Sequence, residues 1–185
     1  MADDAGHQDG IGGPDGLERL WTPYRMAYLR GENKPADHSA GECPFCRVPT
    51  LDDEAASLVV RRGKLAYAVL NLYPYAPGHL MVCPYRHIAD YTDTTADEAE
   101  EIGLLTKTAM RTLRSVSRAE GFNVGMNQGA AGGAGIAAHL HQHVVPRWVG
   151  DQNFMPVIGH TKTLPQLLQD TRQLLADAWS DQPTG

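Results

Sequence analysis

An α+β fold with a mainly antiparallel sheet is what this sequence predicts, on three observations. Short runs rich in Val, Leu and Tyr are set off by Gly- and Pro-bearing turns, one long amphipathic helix interrupts them, and a second amphipathic helix closes the chain. No internal repeat is visible.

The elements follow in order. Residues 17–29 place Leu17, Leu20, Trp21, Tyr24, Tyr28 and Leu29 at helical spacing, and Pro23 must sit in the first turn or break it. A polar loop then leads to Cys43-Pro44-Phe45-Cys46. Residues 57–61 and 64–72 read as the two strands of a hairpin, with Gly63 between them. Breakers fill Tyr73-Pro74-Tyr75-Ala76-Pro77-Gly78, which reads as a turn. Residues 79–83 are a short strand stopped by Pro84. Residues 95–119 are the clearest helix. Asp93, Thr94 or Thr95 can cap it, acidic residues crowd its first turns, and Ile102, Leu105, Ala109, Leu113 and Val116 recur at helical spacing. Residues 122–127 are a strand, 128–135 a Gly/Ala loop, and 140–145 a strand that bears histidines. Residues 163–179 are the closing helix, with Pro165 tolerated near its start.

At 185 residues and a net charge of −6, the chain has room for one core and carries no general cationic excess, so sequence-independent nucleic-acid binding is not expected. Residues 1–16, rich in Asp and Gly and without a basic-then-apolar pattern, read as a disordered tail. Residues 17–185 read as a single domain with N-terminal and C-terminal helical extensions. No apolar run is long enough to cross a bilayer, so no membrane partner is expected. Three cysteines do not make a secreted disulfide framework, and a cytoplasmic location is expected.

His139-Leu140-His141-Gln142-His143 is the most informative stretch. A strand would put the three imidazoles on one face, about 7 Å apart. Aligned imidazoles pack a core poorly and build a reaction centre well, because imidazole ionises, attacks and coordinates near neutral pH. The bland alternative is a His-rich surface strand or adventitious metal tract. The loop before it carries Gly129, Gly132, Gly133 and Gly135, whose bare backbone N–H groups suit a phosphate. It is neither a P-loop nor a dinucleotide fingerprint, since no Gly-Lys-Ser/Thr follows and a strand comes next; a merely flexible loop is its other reading. A histidine facing a cradled phosphate can attack phosphorus and form a nucleotidyl-imidazole, while a second donates to the phosphate oxygens or protonates the leaving group. His141, flanked by the other two, is the natural attacker. Its other nitrogen must be protonated and anchored, commonly by a backbone carbonyl. Cys43 and Cys46 have structural-zinc spacing, and His87 and His139 are available to complete a Cys2His2 site, which has no open position and does no chemistry. A redox pair and two reduced thiols are the other readings, and no thioredoxin-like pattern surrounds the motif.

The stretch from His139 to Val145 resembles the histidine-triad (HIT) signature, His-φ-His-φ-His-φ-φ with φ apolar. Asn71-Leu72-Tyr73-Pro74-Tyr75-Ala76-Pro77-Gly78-His79-Leu80-Met81-Val82 is similar to the nucleotide-binding hairpin of the same family. The resemblance runs from about Cys43 to Trp148. Within the family the likeness is to the actinobacterial diadenosine tetraphosphate (Ap4A) phosphorylases. It is carried by Leu20-Trp21-Thr22-Pro23-Tyr24-Arg25-Met26, by Asn71-Leu72-Tyr73-Pro74-Tyr75, by Pro146-Arg147-Trp148, and by Pro165-Gln166-Leu167-Leu168 with Asp170-Thr171-Arg172.

This resemblance implies a HIT-like fold and an enzyme. The implied activity is nucleotidyl transfer from a dinucleoside polyphosphate through a covalent nucleotidyl-histidine, resolved by phosphate to give ADP and ATP. His141 would be the nucleophile, His143 would contact the reacting phosphate and His79 would sit near it. Asn71 would bind the ribose, Val69 and Met81 would flank the base, and Asn127, with Gly133 and Gly135 of the loop, would line the phosphate site. Trp148 would shape the pocket. Cys43, Cys46, His87 and His139 match the ligands of structural zinc in zinc-containing members. A homodimer is implied, with a tetramer as the alternative and the long helix or an edge strand in the contact. Two positions depart from the family pattern. Gln142 replaces an apolar residue on the face opposite the triad, and Gly135, followed by Ile136, replaces a usual polar side chain, so backbone or water must supply that phosphate contact. Two alternatives stand beside the first reading. One is a HIT hydrolase acting on AMP esters, phosphoramidates or a specialised-pathway nucleotide. The other is a non-catalytic nucleotide-binding or zinc-organised protein, against which the intact triad argues.

Overall fold

The computed structural model describes residues 41, 43–151 and 166–179, all within the unit Pro35–Gly185. The expectations for residues 1–16, 17–29 and the start of the closing helix at 163–165 lie outside the described residues.

Five strands, β1 (Val59–Arg62), β2 (Ala66–Leu70), β3 (Leu80–Pro84), β4 (Gly121–Met126) and β5 (Gln142–Arg147), make one sheet in the order β1-β2-β3-β5-β4. Every pairing is antiparallel. The described helices are the short α1 (Pro44–Arg47) and α2 (Glu54–Ser57), the long α3 (Ala96–Ser117) and α4 (Leu168–Trp179). The predicted α+β fold, with its antiparallel sheet, long helix and C-terminal helix, is the one observed. No described helix is long and apolar enough to cross a membrane.

Two turns hold the first three strands in register. Between β1 and β2, the Glu101 carboxylate of α3 accepts from the main-chain N–H groups of Lys64, Leu65 and Ala66. Between β2 and β3, Asn71 N donates to His79 O at 2.9 Å and His79 N to Ala76 O at 3.1 Å. Gly78 closes that turn at φ +76, and a Cβ there would stand 2.9 Å from the Leu113 side chain, so glycine is required twice over.

Cross-strand partners share a face of the sheet. Val69, Met81, His143 and Gly125 are paired in one row and face one side. Ala68, Val82, Gln142 and Met126 form the next row and face the other. Helix α3 covers this second face with buried Ile102, Leu105, Ala109 and Leu113. Gln142, polar where an apolar residue was expected, donates to Thr106 Oγ1 of α3 at 2.6 Å. Helix α4 packs on α3 and β1 with Leu175 and Trp179 buried, and its Arg172 Nε donates to Val59 O at 2.8 Å.

Thr95 is the residue that caps α3. It forms a reciprocal capping box with Glu98, and the Glu98 carboxylate also takes the Arg86 guanidinium at 2.6 and 2.7 Å. The helix stops at Ser117 rather than 119 because Arg118 turns left-handed at φ 54. The histidine strand starts at Gln142 rather than 140. Its last pair with β3 is Val82–Gln142, and continuing the ladder would bring in Pro84, which has no N–H to give. The chain peels away instead, with Leu140 N donating to Ile88 O and the His139 ring reaching Pro84 O.

Candidate active site

His143 alone of the three histidines lies in β5; His139 and His141 occupy the irregular approach to it. The alignment expected of a continuous strand is therefore replaced by a hydrogen-bonded arrangement. His141 and His143 still meet, ring centroids 5.0 Å apart and planes nearly perpendicular. On the other side of His143 stands His79, buried at the start of β3, with centroids 5.1 Å apart.

The hydrogen bonds assign the protons. His141 Nδ1 lies 2.8 Å from His139 O. A carbonyl only accepts, so Nδ1 carries the hydrogen and Nε2 of neutral His141 keeps its lone pair. Tyr75 N donates to His79 Nδ1 at 3.0 Å. An amide N–H only donates, so His79 carries its proton on Nε2. That atom lies 2.9 Å from His143 Nδ1, which must then accept. The proton of neutral His143 is left on Nε2. One ring thereby presents a lone pair on Nε2 and its neighbour an N–H donor. Asn71 reinforces the chain, with Oδ1 taking Tyr73 N at 3.0 Å and Nδ2 lying 3.3 Å from His79 Nδ1.

Burial favours the neutral form of His141 and His143. It holds His143 down to about 4, with help from nearby His141. His141 is lowered as well, by burial and against the pull of the His139 carbonyl. A neutral imidazole is the form that attacks phosphorus.

Cys43, Cys46, His87 and His139 converge as the sequence suggested, their ligand atoms all within 4.8 Å of one another. His139 Nε2 lies 2.9 Å from Pro84 O and so donates its proton there, leaving Nδ1 open towards the thiols. That Nδ1 is 3.4 Å from Cys43 Sγ and 3.5 Å from Cys46 Sγ, and His87 Nδ1 is 3.3 Å from Cys46 Sγ. Two ligands of a tetrahedral zinc, with Zn–S near 2.3 Å and Zn–N near 2.0–2.1 Å, would stand about 3.6 Å apart. The group therefore fits a metal ion. Burial and the second thiol push Cys46 up to about 11, a cost that a bound cation would reverse.

The family pattern of the HIT domain matches residues 52–149. This chain belongs to the HIT family. One HIT relative, the AP-4-A phosphorylase of Mycobacterium tuberculosis, is 53% identical over 177 residues, covering 94% of this chain and 90% of its own. The bifunctional bis(5'-adenosyl)-triphosphatase/adenylylsulfatase of Arabidopsis thaliana is 34% identical over 87 residues, 47% of this chain and 48% of its own. Among solved structures, a Zn-bound histidine triad family protein from Mycobacterium smegmatis superposes with a TM-score of 0.63 at 25% identity, over 77% of this chain and 96% of that one.

Seen as a HIT domain, the chain brings most of the predicted site residues to one face. Val69 and Met81 share the cross-strand row of His143. Asn127 follows the last β4–β5 pair, Met126–Gln142, and so lies beside the approach to His141. Gly133 and Gly135 belong to the loop that runs from there to His139. In that loop Gly132 is the tightest point, since a Cβ would meet Gln128 O at 2.3 Å. Trp148 is not brought in. Its Nε1–H donates to Ser117 O at 2.9 Å, and it lines a cavity of about 380 Å³ on the helix side of the sheet with Pro77, Leu113, Val116 and Leu174.

Two residues escaped the sequence reading. Phe45, between the two thiols, sets its buried ring 4.8 Å from His141 and 5.5 Å from His139, with its carbonyl held by Tyr67 Oη at 2.7 Å. Tyr75 supplies the amide that orders the His79–His143 pair and lays its ring beside both. An aromatic inside Cys-x-x-Cys was a signal open to notice. A backbone amide in a Pro-rich turn gave none.

Proposed function

We propose that this HIT protein is a nucleotidyl transferase that cleaves dinucleoside polyphosphates of the Ap4A kind by phosphorolysis. The observation that carries the reading is the pair of fixed tautomers: His141 with Nδ1–H held by a carbonyl and Nε2 free, next to His143 with a proton on Nε2. The Mycobacterium tuberculosis relative supports the substrate class.

In the first step His141 Nε2 attacks the α-phosphorus of an adenylyl group. The N–P bond forms, the P–O bond to the leaving nucleoside triphosphate breaks, and the imidazole takes a positive charge while keeping Nδ1–H on the His139 carbonyl. His143 Nε2–H donates to the phosphoryl oxygens as charge builds there. Backbone N–H groups of the glycine loop and the Asn127 side chain hold the remaining phosphate oxygens. In the second step an oxygen of inorganic phosphate attacks the same phosphorus. A P–O bond forms, the N–P bond breaks and His141 returns to neutral. The products are ATP and ADP. Asn71 binds the ribose, and Val69 and Met81 flank the base.

Zinc is the ion we assign to Cys43, Cys46, His87 and His139. Bound there it would tie α1 to the two histidines and, with no open position, supply no chemistry of its own. The exposed outer strand β4, where Val124 is 45% exposed, suits a contact with a second copy in a homodimer. Three free thiols suit the reducing cytoplasm.

Replacing His141 by Ala is expected to lower kcat at least about 10⁴-fold and to remove the adenylylated enzyme detected with labelled substrate. Full activity in that variant would overturn the mechanism. Turnover of Ap4A with and without phosphate decides the acceptor: ADP with ATP marks phosphorolysis, and AMP with ATP marks hydrolysis.

A further inference from the structure

Within the described residues, the ring of His141 makes one hydrogen bond and two ring contacts. The His139 carbonyl accepts from Nδ1–H at 2.8 Å, the His143 ring stands nearly perpendicular at 5.0 Å, and the Phe45 ring lies 4.8 Å away with its plane tilted by 35°. Rings lying side by side in one plane need roughly 6 Å between centroids, because carbon atoms meet at about 3.5–4.0 Å. At 4.8 Å and this tilt the imidazole therefore lies over the face of Phe45. Phe45 is held there from several sides. It is buried, it follows Pro44 at the start of α1, and its carbonyl accepts from the buried Tyr67 hydroxyl at 2.7 Å.

The proposed covalent step puts a charge on this ring. The bond from Nε2 to phosphorus uses the ring's lone pair while Nδ1 keeps its hydrogen. The imidazole is then an imidazolium until phosphate takes the phosphorus and the N–P bond breaks. That cation forms in a buried place, where charge is costly unless it is compensated. In a Ser-His-Asp triad a carboxylate behind the imidazole supplies the compensation. His141 has a neutral carbonyl in that position. The face of an aromatic ring carries the negative part of its quadrupole and attracts a cation within about 6 Å of its centroid.

We propose that Phe45 is the electrostatic partner of His141, its ring face stabilising the adenylyl-imidazolium. The role rests on the covalent route of the preceding subsection and adds a group that the phosphate chemistry does not name. The ring already lies against the imidazole, so no reorganisation is needed when the charge appears. A desolvated contact of this kind accounts for roughly 30-fold in rate.

The test replaces Phe45 in the full chain by mono-, di- and trifluorophenylalanine, which drain electron density from the ring face and barely change its volume. The readouts are the single-turnover rate at which labelled Ap4A adenylylates the enzyme, the Kd for AMP, and the content of bound metal. The rate is expected to fall stepwise along the series, by about 10- to 30-fold at its end, with the other two unchanged. Phe45→Leu, which keeps apolar bulk without a π face, is expected to show a similar drop, and an unchanged rate in it overturns the role. A rate that stays flat across the fluorinated series also overturns it and leaves the ring a packing group. A fall matched by weaker AMP binding overturns it in favour of a base contact, and one matched by metal loss in favour of an effect on the Cys/His group. Wild-type protein that turns over Ap4A without any labelled enzyme overturns the covalent reading, and the role of Phe45 with it.

Discussion

His139 serves two neighbours with different parts of itself. Its ring faces the thiols of Cys43 and Cys46, while its carbonyl fixes the proton of His141. The tautomer of His141 is thus set by main chain, and so is that of His143, through His79 and the amide of Tyr75. The alternation of histidines pointed to the cluster that His141 and His143 form, because residue type and spacing are written in the sequence. The proton assignments were not legible, because they depend on a carbonyl and an amide that any residue could supply. A pH dependence follows for His143, which faces His79, His141 and Tyr75. Its pKa is held to about 4, against about 6.5 when unfolded. The unfolded chain therefore binds a proton that the folded chain refuses between those values. The contribution is fully present above pH 6.5 and is lost as pH falls towards 4, an effect of about 2–3 kcal/mol. Urea unfolding midpoints between pH 7 and 4 are expected to fall less steeply in His143→Asn than in the wild type.

Elements were legible where their pattern is local and long, and less so at their ends. The apolar repeat of α3 and the β-rich hairpin both stand in the sequence. The end of α3 depends on the left-handed Arg118, and the start of β5 on Pro84, a residue 58 positions earlier than Gln142 that cannot extend the ladder. The start of α3 gives a testable element. Glu98 closes its capping box and binds Arg86, and that guanidinium holds the Glu98 carboxyl down to about 2. Glu98→Ala is expected to cost about 2–3 kcal/mol, below the full cost of a broken buried pair because half-exposed Arg86 is screened by water. Glu98→Gln keeps the cap acceptor and is expected to lose about 1 kcal/mol. The depressed pKa gives stability that is present above pH 4.5 and lost as pH falls towards 2. Equilibrium denaturation at pH 7 and pH 3 measures both effects, and the gap between the wild type and Glu98→Ala is expected to narrow at the lower pH without closing.

At the scale of the molecule, one sheet divides two duties. Its helix face buries the apolar residues of α3, and its other face carries the histidines and the Cys/His group. The spacing of Cys43 and Cys46 announced half of that group; His87 and His139 were named with it through the family resemblance, and the fold brings these distant positions together. The departure of Trp148 to the helix side has the same origin, since strand parity and the Ser117 carbonyl decide where its ring goes. If zinc fills the Cys/His group as proposed, a chelator is expected to lower the melting temperature by about 5–15 °C, and Cys43→Ser to reproduce that drop. Calorimetry, with elemental analysis for one zinc per chain, checks it, and a metal-free wild type with an unchanged melt would dismiss the site. The span from Cys43 to His139 also has a consequence for how the protein is made. The hydrogen-bond partners Cys43 and His139 lie 96 residues apart. A ribosome that has delivered the long helix has released two thiols and one histidine of the Cys/His group but not His139, nor His141 two residues beyond it. Neither the Cys/His group nor the histidine cluster can assemble on the growing chain until the final strand emerges, so both mature together, late in synthesis.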